Sequence, residues 1–118
     1  MAARQDPQLF IPLKPVELLV LTMLSAGDRH GYGIRQDILE HTRGAMALEA
    51  GNLYRTIRRL ESDGFLDETT GVASGEDERR RYYHLTPLGR RVLAAELERL
   101  RDLVRLGEER RVIAPLPA

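Results

Sequence analysis

Apolar residues recur along the chain at two spacings, and each change of spacing marks a change of element. From Val16 to Leu24 they take nearly every position, which predicts a helix buried on several sides and running to about Ala26. Pro15 suits its first turn, where a missing N–H costs nothing, and Gly27 ends it. The run GDRHGYG at 27–33 reads as a turn, and a second helix follows to about Thr42 with Ile34, Ile38 and Leu39 inward. Arg43 and Gly44 break that helix. After the short connection Ala45–Leu48, the residues Leu53, Ile57 and Leu60 fall at i, i+4 and i+7, one stripe of a third helix over 49–63. Asp63 and Gly64 stop it.

The period then shortens. Phe65–Thr69 and Arg80–Leu85 read as two strands, joined through the polar loop TGVASGEDE into a hairpin over 65–85. Tyr82 and His84 alternate with Tyr83 and Leu85, so Tyr83 is expected in the core and Tyr54 at the surface. Thr86 is a good N-cap and Pro87 a good first residue for a long last helix reaching about Glu109. That helix carries two apolar stripes. Leu93, Leu97, Leu100 and Val104 form a seam like that of a coiled coil, and Leu88, Val92 and Ala95 lie on roughly the opposite side. One stripe can pack on its own domain; the other needs a partner, and a second copy of the chain is the obvious one.

Three helices and a hairpin, in this order, predict a mainly α fold with a small β-hairpin, the winged helix-turn-helix, followed by a C-terminal dimerisation helix. The expected division is an N-terminal arm at 1–13, a winged helix-turn-helix domain at 14–86, the dimerisation helix at 87–110 and a disordered tail at 111–118. A length of 118 residues suits one such domain.

Composition narrows the class. With 42% hydrophobic and 31% charged residues the chain can bury a modest core and stay in solution. It has no cysteine, which removes disulfides and thiolate metal sites. The apolar run Val16–Leu24 is too short to cross a bilayer, and the N-terminus does not read as a signal peptide, so a cytoplasmic location away from membranes is expected. No cofactor and no metal site are expected: His30, His41 and His84 lack ligand spacing and read as surface or capping residues. Ser25, Ser62 and Ser74 lack nucleophile-elbow glycines, and no phosphate-binding glycine loop follows a strand, so no catalytic residue is assigned.

Net charge is zero, which by itself argues against a polyanionic partner, but the charges are segregated. Residues 51–59 hold three arginines and no acid; residues 79–91 hold five and no acid. On the third helix Gly51, Arg55, Arg58, Arg59 and Ser62 share the side opposite the apolar stripe, flanked by Asn52 and Tyr54. In a helix-turn-helix this is the helix that enters the major groove. Gly51 lets the backbone approach, Asn52 suits an adenine edge, and Arg55 or Arg58 suits guanine or phosphate. Arg79, Arg80 and Arg81 stand on the expected wing, within reach of phosphates or the minor groove. The alternative is a winged helix used as a protein-interaction module, which needs no clustered cations.

The segments HGYGI (30–34), GNLYRTIRRLESDGFL (51–66) and RRRYYHLTPLGR (79–90), in this order and spacing, resemble the PadR family of bacterial transcriptional regulators. The resemblance spans about residues 14–106 and looks like the small subgroup with a single C-terminal helix. It implies a homodimeric repressor on double-stranded DNA with a roughly palindromic operator, often released by a small-molecule effector. It also implies that the C-terminal helix and the N-terminal segment form the dimer. On matching positions the DNA-reading surface would comprise Tyr32 and Arg35 on the second helix, and Gly51, Asn52, Tyr54, Arg55 and Arg58 on the third. Two departures stand out. Glu49 occupies the place of the family's usual serine-like cap, and no tryptophan occurs anywhere and no aromatic residue after Tyr83, so the dimer helices offer an aliphatic surface rather than a stacking site.

Overall fold

The computed structural model describes residues 6–46, 48–69 and 81–117. A short 3-10 turn, Pro7–Phe10, is capped by Asp6, whose Oδ1 accepts the Gln8 N–H at 3.0 Å. Helix α1 spans Pro15–Leu24, strand β1 Arg29–His30, helix α2 Gly31–His41 and helix α3 Ala50–Ser62. Strands β2 (Leu66–Thr69) and β3 (Tyr82–Leu85) follow, then helix α4, Pro87–Glu109. Thr86 caps α4 as expected, its Oγ1 accepting the Gly89 N–H at 3.0 Å. The core joins Val20, Leu21 and Leu24 of α1, Ile34 and Ile38 of α2, and Leu53, Ile57 and Leu60 of α3 to Phe65, Leu66, Tyr83, Val92 and Leu93.

Several expectations need correction. The run at 27–33 is not only a turn: Arg29 and His30 pair antiparallel with Tyr83 and Tyr82, giving a three-stranded sheet in the order β1-β3-β2. Two residues are too few to show alternation, and their partner strand is remote in sequence. Helix α2 accordingly begins at Gly31, with His30 as its N-cap through Nδ1, which accepts the Gly33 N–H at 2.9 Å. Leu39 is 37% exposed rather than inward, since it lies about 100° round the helix from Ile38. The first helix stops at Leu24, two residues early. Phe65 and Arg81 precede their strands; Phe65 instead closes α3, its N–H returning to the Leu60 carbonyl at 2.9 Å while Gly64 takes φ +84°.

Two attachments fix α4. At its first turn the Thr86 hydroxyl donates to the Gly64 carbonyl at 2.6 Å, and Gly89 presses on the chain reversal after α3. A Cβ at Gly89 would stand 1.9 Å from the Phe65 carbonyl oxygen. Ten residues after Thr86, the wholly buried Glu96 accepts the Leu13 N–H at 2.7 Å and both Nε and Nη2 of Arg99 at 2.5 and 3.1 Å. The N-terminal arm is therefore tied to α4, and Phe10 completes the seam edge-on to Phe65 with ring centroids 5.0 Å apart. Beyond Glu96 the helix outruns its domain. Leu97, Leu103, Val104 and Leu106 are 42–55% exposed, although Leu103 lies on nearly the same helix face as the buried Val92. Leu93, expected on the partner-facing seam, is 5% exposed and belongs to this chain's own core. Among the described residues no helix is long and apolar enough to cross a membrane.

Gly89→Ala is expected to cost about 3 kcal/mol or more, because backbone must move to admit the methyl group, and urea denaturation at matched protein concentration reads it. The Arg99 guanidinium, and secondarily the Leu13 N–H, hold the Glu96 carboxyl below the usual carboxylate range against the opposite pull of burial. A depressed folded-state pKa gives stability that is complete above about pH 4.3 and lost as pH falls through the lower folded value. Glu96→Gln should therefore cost roughly 1–3 kcal/mol at pH 7, with its curve and the wild type's converging in acid. Curves that stay parallel down to the acid transition would remove this role from Glu96.

Candidate nucleic-acid interface

Burial of Leu53, Ile57 and Leu60 turns α3 so that Gly51, Arg55, Arg58 and Ser62 point furthest out, and all four are exposed. No acid lies on this line. Asn52 and Arg59 lean to the α1 side; Tyr54 and Glu61 lean to the sheet side. The Arg55 guanidinium donates from Nη2 to the Asn52 side-chain oxygen one turn back, so these two present themselves together. Gly51 is not required by packing, since a Cβ there would meet nothing nearer than Arg55 Nη1 at 3.8 Å.

Each flank of α3 is hollow. Towards the sheet, a depression of about 730 Å³ is walled by His30, Gly31, Tyr32, Tyr54, Arg58 and Arg81, with Glu61 and Tyr83 also lining it. Gly31 makes room for Tyr54: a Cβ there would fall 2.9 Å from the tyrosine hydroxyl. Tyr54 is 41% and Tyr32 55% exposed, while Tyr83 is buried, which raises its phenol pKa chiefly through desolvation and next through Glu68. His30 stacks with Tyr32 at 6.2 Å and meets Tyr82 edge-on at 5.2 Å, building an aromatic corner at the start of α2. Towards α1, a second depression of about 620 Å³ has Val16, Met46 and Leu48 along it and Lys14, Arg55 and Arg59 at its rim.

Not every arginine assigned from sequence stands alone. Arg35 uses Nε to hold the Leu48 carbonyl at 2.7 Å, bracing the connection that leads into α3. Arg59 lies 3.9 Å from Glu17 of α1, and Arg81 lies 3.6 Å from Glu68 across the hairpin. Arg79 and Arg80, and the acidic run Glu76–Glu78, lie outside the described residues. His30, read as a surface or capping residue, does cap α2; one contributor went unread in the sequence, Arg29, which forks onto Asp37 at 2.6 and 2.9 Å to tie β1 to α2. An Arg and an Asp eight residues apart across a strand–helix corner leave no periodic signal. Among the described residues no cluster of metal-ligating side chains occurs.

The family model for the "Transcriptional regulator PadR-like family" matches residues 20–95, from α1 to just before the exposed stretch of α4. The transcriptional regulator Rv3488 of Mycobacterium tuberculosis is 33% identical over 90 residues, 76% of this chain and 79% of that protein. A transcriptional regulator from Clostridium thermocellum, Cth-833, superposes with a TM-score of 0.67 at 28% identity, over 80% of this chain and 87% of its own. Bacillus subtilis PadR, solved in complex with operator DNA, superposes with a TM-score of 0.63 at 23% identity, over 73% of this chain and 48% of its own. With its winged helix fold and a family match over most of its length, the chain belongs to the PadR-like family of transcriptional regulators.

Proposed function

We propose that this regulator is a cytoplasmic homodimeric repressor that reads a palindromic operator in double-stranded DNA. Helix α3 enters the major groove with Gly51, Asn52, Arg55 and Arg58, while the wing and Tyr32 engage the backbone or the adjacent minor groove. The carrying observation is the exposed, acid-free outer line of α3, Gly51–Arg55–Arg58–Ser62, raised between two hollows. Bacillus subtilis PadR, a protein of the same fold, is solved in complex with operator DNA, which supports duplex DNA as the partner. Two copies join through the apolar part of α4 formed by the exposed Leu97, Leu103 and Val104 together with the half-buried Leu100. A small-molecule effector would act by altering the separation of the two recognition helices, which one DNA turn sets at about 34–36 Å.

Duplexes selected from a random library by the wild-type protein should show paired half-sites, with affinity falling by a slope of about −0.9 per phosphate contact in a salt titration. Arg55→Ala should lose about tenfold to a hundredfold on that DNA and relax the preference at one base position. Selection of no sequence, with equal binding to random duplex, would reduce α3 to a merely basic surface; no binding at low salt would favour the interaction-module reading.

Gly51→Ala separates reading from folding, because the two effects have opposite signs. The helix should gain about 0.5–1 kcal/mol from alanine, while DNA affinity falls if backbone meets the groove here. Val104→Glu should give a folded monomer in sedimentation equilibrium, and an unchanged dimer would displace the interface from α4.

A further inference from the structure

We infer that Glu96 is the positioning residue that sets the angle between the dimer helix and the winged-helix domain, acting through the N-terminal arm. The inference rests on the dimeric reading above and goes beyond it by naming what fixes the separation of the two recognition helices.

A carboxylate is an expensive way to fill a core position. A buried ion pair is commonly no more stabilising than apolar residues of similar volume, and what it adds is direction. Here the direction is specific. Glu96 has both oxygens engaged, one on Arg99 Nε and the other on Leu13 N–H and Arg99 Nη2. The next backbone N–H, that of Lys14, goes to the carboxylate of Glu17 in α1 at 2.8 Å. The other oxygen of Glu17 lies 3.9 Å from Nε of Arg59 on α3. Two consecutive amides of the arm are thus held by carboxylates from two different helices, and the second carboxylate touches the recognition helix. Beside the apolar core that Val92 and Leu93 share with α3, a second path from α4 to α3 thus runs through directed hydrogen bonds and an ion pair.

Placement adds the second half of the case. The first attachment of α4, at Thr86 and Gly89, acts as a pivot, and Glu96 lies seven to ten residues further, roughly 10–15 Å at 1.5 Å per residue. The exposed apolar face begins at the next residue, Leu97. Glu96 is therefore the last fixed point before the helix leaves its domain. About 1 Å of play at that point becomes roughly 4–6° of tilt about the pivot. Every degree passes undiminished into the relation between two winged-helix domains joined through α4.

The test reads that relation without DNA. The chain has no cysteine, so Ser62→Cys places one nitroxide per protomer on α3, and pulsed dipolar spectroscopy gives the distance between recognition helices. Wild type should give one narrow distance, and Glu96→Gln, which keeps an acceptor for the Leu13 N–H, should stay close to it. Glu96→Leu, of similar volume without the acceptor, should broaden the distribution about twofold or displace it while remaining dimeric, since the pivot remains but the second pin is gone. Where Glu96→Leu does not fold, Glu96→Asp decides, because its acceptor is withdrawn by one methylene and α4 must tilt or release the arm. A distribution unchanged in Glu96→Leu, or unchanged in Glu96→Asp, overturns the inference and leaves Glu96 a purely stabilising residue. Absence of dipolar coupling in the wild type overturns the dimeric reading, and the inference with it.

Discussion

The close approach of α4 to the chain reversal after α3 is the constraint from which the rest of the arrangement follows. Only a residue without a side chain fits at Gly89, since the Phe65 carbonyl lies where a Cβ would be. That approach lets Thr86 reach back to Gly64, lets β3 run straight into α4, and seats Val92 and Leu93 over the helical core. Gly64 contributes from the other side by turning left-handed just past α3. Helix α3, the hairpin and helix α4 therefore meet at one short stretch of backbone, residues 64–65 and 86–89. No displacement of one can leave the others where they were.

Around this joint the chain uses its charges in two ways. Some arginines are structural: Arg29 on Asp37, Arg35 on the Leu48 carbonyl, Arg99 on the buried Glu96. Others, Arg55 and Arg58 above all, stand clear of acids on the outer line of α3. A neutral total thus conceals an uneven surface, and counting charges says less than asking which are already spoken for. Exposed i,i+3 pairs on α4, Arg101 with Glu98 and Arg105 with Asp102, add little stability in water and chiefly keep the helix flank soluble.

Much of this was legible in the sequence because it is periodic. The stripes of α3 and α4, the Thr86-Pro87 start and the Asp63-Gly64 stop are local signals that burial then enforces. The buried Tyr83 and exposed Tyr54 followed from strand alternation and helix angle alone. What stayed hidden depends on contacts remote in sequence. Strand β1 exists because β3 offers an edge to it, Leu93 is core because α4 crosses α1 at that level, and Glu96 looks like any surface glutamate until Leu13 arrives beneath it. The partners of Arg35 and Arg59 were hidden for the same reason: helix angle says which way a side chain starts, and only the fold shows which neighbours it meets.

The two hollows beside α3 give the molecule relief as well as charge. A helix lying flush with its surroundings could touch the rim of a major groove but not its floor, about 8.5 Å down. Here α3 stands as a ridge, with room on one side beneath Tyr54 and Arg58 and on the other beside Asn52 and Arg59. In topographic terms the protein is a mould with one ridge and two channels, and a duplex seen from its major groove is one channel between two rails. In the proposed complex the hollows would take the sugar–phosphate rails on either side of the ridge, so relief and charge would act together.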